Sequence, residues 1–124
     1  MITGTHVVFF SKNAEADRAF FREVLRFKAV DAGGGWLIFA LPPAEAAMHP
    51  TGEEGHAGGH IRAEVYLMCG DLKAEMKRLK EKKVSCSPVT TQRWGIVTKL
   101  RLPSGAELGL YQPTHPTAID LKSK

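Results

Sequence analysis

Two kinds of hydrophobic periodicity alternate along the chain, and they do so twice. Thr5 to Phe10 reads Thr-His-Val-Val-Phe-Phe, a β-branched and aromatic run that predicts a strand with His6, Val8 and Phe10 on one face and Val7 and Phe9 on the other. The period then changes to that of a helix. Ala16, Ala19, Phe20, Phe21, Val24 and Leu25 recur at helical spacing behind Asn13, an N-cap residue, and Glu15 and Asp17 favour the first turn, so a helix runs to about Phe27. Lys28 to Asp31 is a short strand, Gly33 to Gly35 a turn, and Trp36 to Leu41 an apolar strand that Pro42 and Pro43 stop. Ala44 to His49 makes a fourth strand, with Glu45, Ala47 and His49 on one face and Ala46 and Met48 on the other.

Pro50 to Gly59 holds four glycines and two glutamates with no hydrophobic period, a flexible connector on which His56 and His60 are read as exposed loop residues. The pattern then restarts. Ala63 to Cys69 predicts a strand with Glu64, Tyr66 and Met68 on one face. Asp71 caps a helix whose stripe is Leu72, Met76 and Leu79 and which ends near Lys82 or Lys83. Val84 to Val89, Arg93 to Leu102 and Ala106 to Gln112 are further strands, the last two joined by Pro103-Ser104-Gly105.

The two halves align. His6 falls on Glu64 and Asn13 on Asp71, each pair 58 residues apart, and Ala44-Glu45 falls on Ala106-Glu107, which sets Ala47 against Gly109, Met48 against Leu110 and His49 against Tyr111. Two copies are too few for a solenoid. The expected organisation is a single domain over residues 1–124, with one module over about 1–50, a linker over about 51–62 and a second module over about 63–124.

Composition narrows the class without naming a chemistry. A chain of 124 residues, 44% hydrophobic, can bury one core. No charged leader or long apolar segment is evident, so the expected address is cytoplasmic, with no membrane partner. Cys69 and Cys86 lack the spacing of a disulfide framework or a zinc site and read as reduced, partly buried thiols. The net charge of +4 concentrates in Lys73, Lys77, Arg78, Lys80, Lys82 and Lys83, on or just after the second helix. A solvated helix face accounts for that; no nucleic-acid motif accompanies it, and no nucleic-acid partner is expected.

Strand alternation gathers the chemistry on one side. Ala46, Met48, Leu108 and Leu110 suit packing against helices, while Glu45, His49, Glu107 and Tyr111 share the opposite face with His6, Glu64 and Tyr66. Acids, histidines and aromatics converging on one concavity suit a small organic molecule, with Trp94, Tyr66 and Tyr111 as stacking surfaces and Glu64 and Glu107 as candidate proton acceptors. Trp36 is read as ordinary core or cavity-wall packing.

His6, the Trp94-Gly95 pair, the turn at Pro103 to Gly105 and the run Leu110-Tyr111-Gln112-Pro113, set in this order of elements, resemble the glyoxalase, bleomycin-resistance and extradiol dioxygenase superfamily, the vicinal oxygen chelate proteins. The resemblance covers nearly the whole chain. It implies an α+β fold of two tandem βαβββ modules forming a cupped, partly open β-sheet barrel with helices outside, commonly completed as a homodimer, with a ligand on the concave side. It also implies a divalent metal, such as zinc, nickel, manganese or iron, at four strand positions that fall here on His6, Ala47, Glu64 and Gly109. Only His6 and Glu64 are chemically able to bind a metal. Glu45 and Glu107 stand two residues from the vacated positions, a displacement of roughly 6 to 7 Å along a strand, against metal–oxygen distances of about 2.0 to 2.6 Å. The expected function is therefore binding of an organic molecule through Glu45, His49, Tyr66, Trp94, Glu107 and Tyr111 beside a degenerate metal site. The alternative is a metal-dependent lyase, isomerase or dioxygenase with a rearranged site.

Overall fold

The computed structural model describes residues 1–50 and 61–121; His56 and His60 lie outside the described residues. Helix α1 spans Ala14–Glu23, and Asn13 caps it by accepting a hydrogen bond from the Ala16 amide at 3.2 Å. It ends four residues before Phe27 because Arg26 takes a left-handed φ of 63°, which no helix accommodates. The antiparallel strands β1, Ala29–Asp31, and β2, Leu37–Phe39, follow as a hairpin with Val30 opposite Ile38. The three glycines at its tip all have positive φ. Asp31 Oδ1 accepts from the Gly33 and Gly35 amides at 2.7 and 3.2 Å, a turn that glycine makes without strain.

The second sheet positions the site. Strand β3, Tyr66–Met68, leads to helix α2, Leu72–Glu81, and then to β4, Thr90–Gln92, β5, Gly95–Arg101, and β6, Glu107–Pro113. Their order is β3-β6-β5-β4, with β3 parallel to β6 and the other pairs antiparallel. Asp71 caps α2 through the Ala74 amide at 3.1 Å, as its position predicts, and Gln112 Oε1 accepts from the Leu72 amide at 3.0 Å, tying the helix start to β6. Gly105 turns the β5–β6 hairpin at φ 93°. Asp17 of α1 accepts from the Ser104 amide at 3.0 Å, so the first helix is bonded to that turn across 87 residues of sequence.

Both helices lie on one side of this sheet. Phe20 and Phe21 of α1 pack with Leu102 and Leu108, while Leu72 and Leu79 of α2 pack with Leu100 and Leu110; Val24, Leu25, Leu67 and Val84 bridge the two clusters. Leu108 and Leu110 therefore take the helix side that alternation assigns them. Thr98, nearly solvent-free, donates to the Ser87 carbonyl at 2.7 Å and leaves no orphaned hydroxyl.

Several predicted strands are not formed. The segments over 5–10 and 44–49 carry no strand pairing, and Val8, Phe10 and Met48 are exposed. A strand needs an edge to bond to, and among the described residues neither segment is bonded to one. Between α2 and β4 the expected strand over 84–89 is reduced to a single bridge, Cys86 with Leu100, and regular pairing begins only at Thr90. The fold is α+β with mixed sheets, and the described strands do not close a barrel. Trp36 is a further correction. It stands 61% exposed at the hairpin, with the Arg18 guanidinium 4.9 Å from its ring centre, because the glycine turn carries it out of the core. Cys69 and Cys86 are free, half-buried thiols, and burial raises the pKa of both.

Candidate functional site

The face of β3-β6-β5 turned away from the helices is built around two glycines. Gly109 stands opposite Tyr66 on β3 and Lys99 on β5. The Tyr66 ring lies flat over it, so closely that a Cβ at residue 109 would fall on Cδ2 and within 2.7 Å of Cε2. At Gly95 a Cβ would meet the Tyr111 ring at 2.6 Å and the Gln112 carbonyl at 2.7 Å. Each glycine is the seat of a tyrosine ring, and that close approach requires the missing side chain.

The seated rings meet one another and Trp94. Ring centres are 5.2 Å apart for Trp94 and Tyr111, 5.6 Å for Tyr66 and Trp94, and 5.9 Å for Tyr66 and Tyr111, all near-perpendicular. Edge-to-face packing of this kind satisfies the ring quadrupoles. Tyr111 is buried, Tyr66 half-buried, and Trp94 keeps 39% of its surface in solvent.

The tyrosine hydroxyls leave this cluster in different directions. Tyr66 donates to Glu64 Oε1 at 3.0 Å. Tyr111 bonds His115 Nε2 at 2.9 Å, and the two rings stack with centres 5.9 Å apart. His115 Nδ1 lies 2.7 Å from the Pro116 carbonyl, which only accepts, so in the neutral ring Nε2 is the acceptor and Tyr111 the donor. Glu45 Oε2 is 3.7 Å from His115 Nε2, and Glu45 Oε1 accepts from the Ala118 amide at 2.7 Å. Residue 45 of the first half is thereby joined to the segment that follows β6. That segment is also fixed to the strand start by Thr114, whose amide donates to the Trp94 carbonyl and whose hydroxyl donates to the Arg93 carbonyl, both at 3.0 Å.

Both phenols have pKa values raised above the ordinary 10.0, chiefly by burial; the Glu64 hydrogen bond and charge add to this at Tyr66, and the Glu45 charge at Tyr111. These are the only two tyrosines in the chain. Because the folded values lie above the unfolded ones, the stabilisation they reflect is complete below pH 10 and is lost as pH rises through the folded values. Ultraviolet titration of native protein should therefore show less phenolate absorbance than the urea-unfolded chain at the pH where the latter is half-ionised. A normal native titration curve would contradict the cluster.

The residues singled out by sequence separate into two groups. Tyr66, Trp94 and Tyr111 form one cluster, with Glu64 and Glu45 at its margins. His49 does not join it: the side chain is exposed and its Nδ1 donates to the Pro50 carbonyl at 2.8 Å. Glu107 is exposed at the start of β6, opposite Arg101 and two residue pairs from Gly109. His6 lies on the unpaired segment and is exposed. His115, absent from the expectations, was signalled only by standing four residues after Tyr111 between Thr114 and Pro116.

The donor set does not fit the metal that the resemblance implies. Ala47 and Gly109 carry no ligand atom, the Tyr66 ring covers Gly109, and Glu64 is engaged by the Tyr66 hydroxyl. Among the described residues no three His, Cys, Asp or Glu side chains gather as a metal would require. Two hollows occur elsewhere: about 480 Å³ beside Asp71, Lys73, Ala74 and Lys77, and about 380 Å³ floored by Phe20, Val24, Val84 and Leu102. Neither touches the aromatic face.

No protein-family model matches the chain, and no curated protein matches it significantly. Solved structures do. TnmS3, an antibiotic binding protein from Streptomyces sp. CB03234, superposes with a TM-score of 0.59 at 25% identity over 92% of this chain and 100% of that one. A glyoxalase/bleomycin resistance protein from the same Streptomyces gives 0.54 at 24% identity over 82% and 93%. Lactoylglutathione lyase from Agrobacterium tumefaciens gives 0.60 at 14% identity over 89% and 92%. The chain has the glyoxalase/bleomycin-resistance fold, that of the vicinal oxygen chelate superfamily. Among the described residues no helix is long and apolar enough to cross a membrane.

Proposed function

We propose that this protein binds a planar organic molecule, sequestering or recognising it without a catalytic metal. The observation that carries this reading is the Tyr66–Trp94–Tyr111 cluster seated on Gly95 and Gly109. It fills with aromatic surface the place where a chelating carboxylate would stand, and it leaves Trp94 partly open for a ligand ring to cover. The likeness to an antibiotic binding protein supports the same choice over the metal-dependent lyase, isomerase or dioxygenase. That enzymatic alternative would have to draw its missing donors from a second copy or from outside the described residues.

Calorimetric titration with a panel of aromatic antibiotics tests the reading. Trp94→Ala should weaken binding about tenfold, the equivalent of one lost aromatic contact with its buried area, and lower the thermal midpoint by several degrees through the loss of its edge-to-face contacts with Tyr66 and Tyr111, so affinity is compared at a temperature where both proteins are folded. One divalent ion per chain in protein purified without chelators, removed by Glu64→Gln, would instead establish the enzymatic alternative.

The binding unit is a homodimer in this reading. The β-rich segments over 5–10 and 44–49 have no partner strand among the described residues and expose Val8, Phe10 and Met48, surface that a second copy would cover. Sedimentation should give twice the 13.6 kDa chain mass, and Phe10→Lys with Met48→Lys should return it to one. A wild-type monomer at micromolar concentration would rule the pairing out.

A further inference from the structure

The line of rings from Trp94 through Tyr111 to His115 ends at a carboxylate that is fixed in place and short of a partner. Glu45 Oε1 accepts from the Ala118 amide at 2.7 Å, and Oε2 stands 3.7 Å from His115 Nε2. In the neutral ring that nitrogen already accepts from the Tyr111 hydroxyl, so Oε2 faces a second acceptor and not a donor. The Glu45 side chain is only 18% exposed. A carboxylate so far withdrawn from water ordinarily has a cationic partner. Among the described residues no lysine or arginine nitrogen lies within 4.0 Å of it.

The rest of the ring cluster has the same sign. Glu64 is held by the Tyr66 hydroxyl, a neutral donor that leaves the carboxylate its charge. Burial raises the pKa of both phenols, and the charges of Glu64 at Tyr66 and of Glu45 at Tyr111 raise it further. The ring faces add the negative side of their quadrupoles. No cation of the described residues covers them: the cation–π contact is that of Arg18 with Trp36, at the β1–β2 hairpin. Lys99, opposite Gly109 on β5, is exposed and makes no such contact.

We propose that Glu45 is a specificity-determining residue and that the ligand is an organic cation, a planar ring system bearing a protonated amine on a short arm. Its rings lie on Trp94, and its ammonium reaches past Tyr111 to donate to Glu45 Oε2. The assignment rests on the aromatic-binding reading and adds to it the charge that the ligand carries. An ammonium supplies both things that Glu45 lacks, a donor for Oε2 and a positive charge, in one charge-assisted hydrogen bond. The acceptor is already oriented, because the Ala118 amide holds the other oxygen of the same carboxylate.

Calorimetry with three matched probes, naphthylethylammonium, naphthylethanol and naphthylacetate, separates the two claims. It is run at pH 8, above the range in which an imidazole ordinarily becomes charged and could itself fill Oε2. The ammonium probe should bind wild-type protein about tenfold more tightly than the alcohol, the fold-change of one charge-assisted hydrogen bond, and the acetate should bind most weakly. Glu45→Gln, which keeps an oxygen for the Ala118 amide, should erase the difference between ammonium and alcohol, with its thermal midpoint recorded to verify folding. Trp94→Ala should weaken all three at a temperature where it is folded. Equal binding of ammonium and alcohol by wild-type protein, preference for the acetate, or an unaltered ranking in Glu45→Gln would overturn the assignment while leaving aromatic binding intact. The wild-type ranking decides the matter even where the glutamine variant does not fold. Binding of none of the three would overturn both.

Discussion

Gly109→Glu, the substitution that restores a carboxylate where a chelating strand would carry one, should destabilise the protein by about 1 to 3 kcal/mol, the usual cost of overpacking. It should not create a metal site. The new Cβ would occupy the space of the Tyr66 ring, and turning that ring aside would break its packing on Trp94 and Tyr111 and its hydroxyl bond to Glu64. Thermal denaturation should show a midpoint several degrees lower for a chain of this size. Tyr66→Ala combined with Gly109→Glu should cost less than the sum of the two single changes, because the clash needs both side chains. A Gly109→Glu protein of wild-type stability that binds one divalent ion would reverse the conclusion that the ring cluster replaces the metal.

The same residue shows how much was legible beforehand. Alternation alone placed Gly109 and Tyr111 on the face opposite the leucines, and that placement survives because a period of two leaves no other choice once Leu108 and Leu110 are buried. Both helix starts were readable, since Asn13 and Asp71 each act on the amide three residues away. The reason Gly109 is a glycine was not readable. It depends on the parallel register of β3 with β6, a contact between residues 43 positions apart, and no local pattern encodes which ring will cover which glycine. His115 escaped for a similar reason: its roles toward Tyr111 and Glu45 arise only when the segment after β6 folds back. The segments over 5–10 and 44–49 mark the opposite failure. Their pattern is correct for strands, but pairing is a property of the neighbour, and among the described residues neither segment is paired with one.

Leu100→Ala should be the more damaging change in overall stability, with a loss of about 2 to 5 kcal/mol, a large share of the roughly 5 to 15 kcal/mol typical of a small domain. Leu100 is fully buried and Leu79, its partner from α2, is 1% exposed. The cavity left at either is walled by β-sheet on one side and helix on the other and has little freedom to collapse. Urea denaturation of Leu79→Ala, Leu100→Ala and the double variant should give a non-additive total, since both deletions enlarge one void. The ring cluster lies on the other face of β5 and β6, so the folded fraction of Leu100→Ala should retain wild-type affinity for whichever aromatic antibiotic the calorimetric panel identifies as a probe. A loss below about 1 kcal/mol would mean that the helices are loosely docked. A large fall in probe affinity would mean that the helix side of the sheet governs the geometry of its aromatic side, and that the two faces cannot be altered independently.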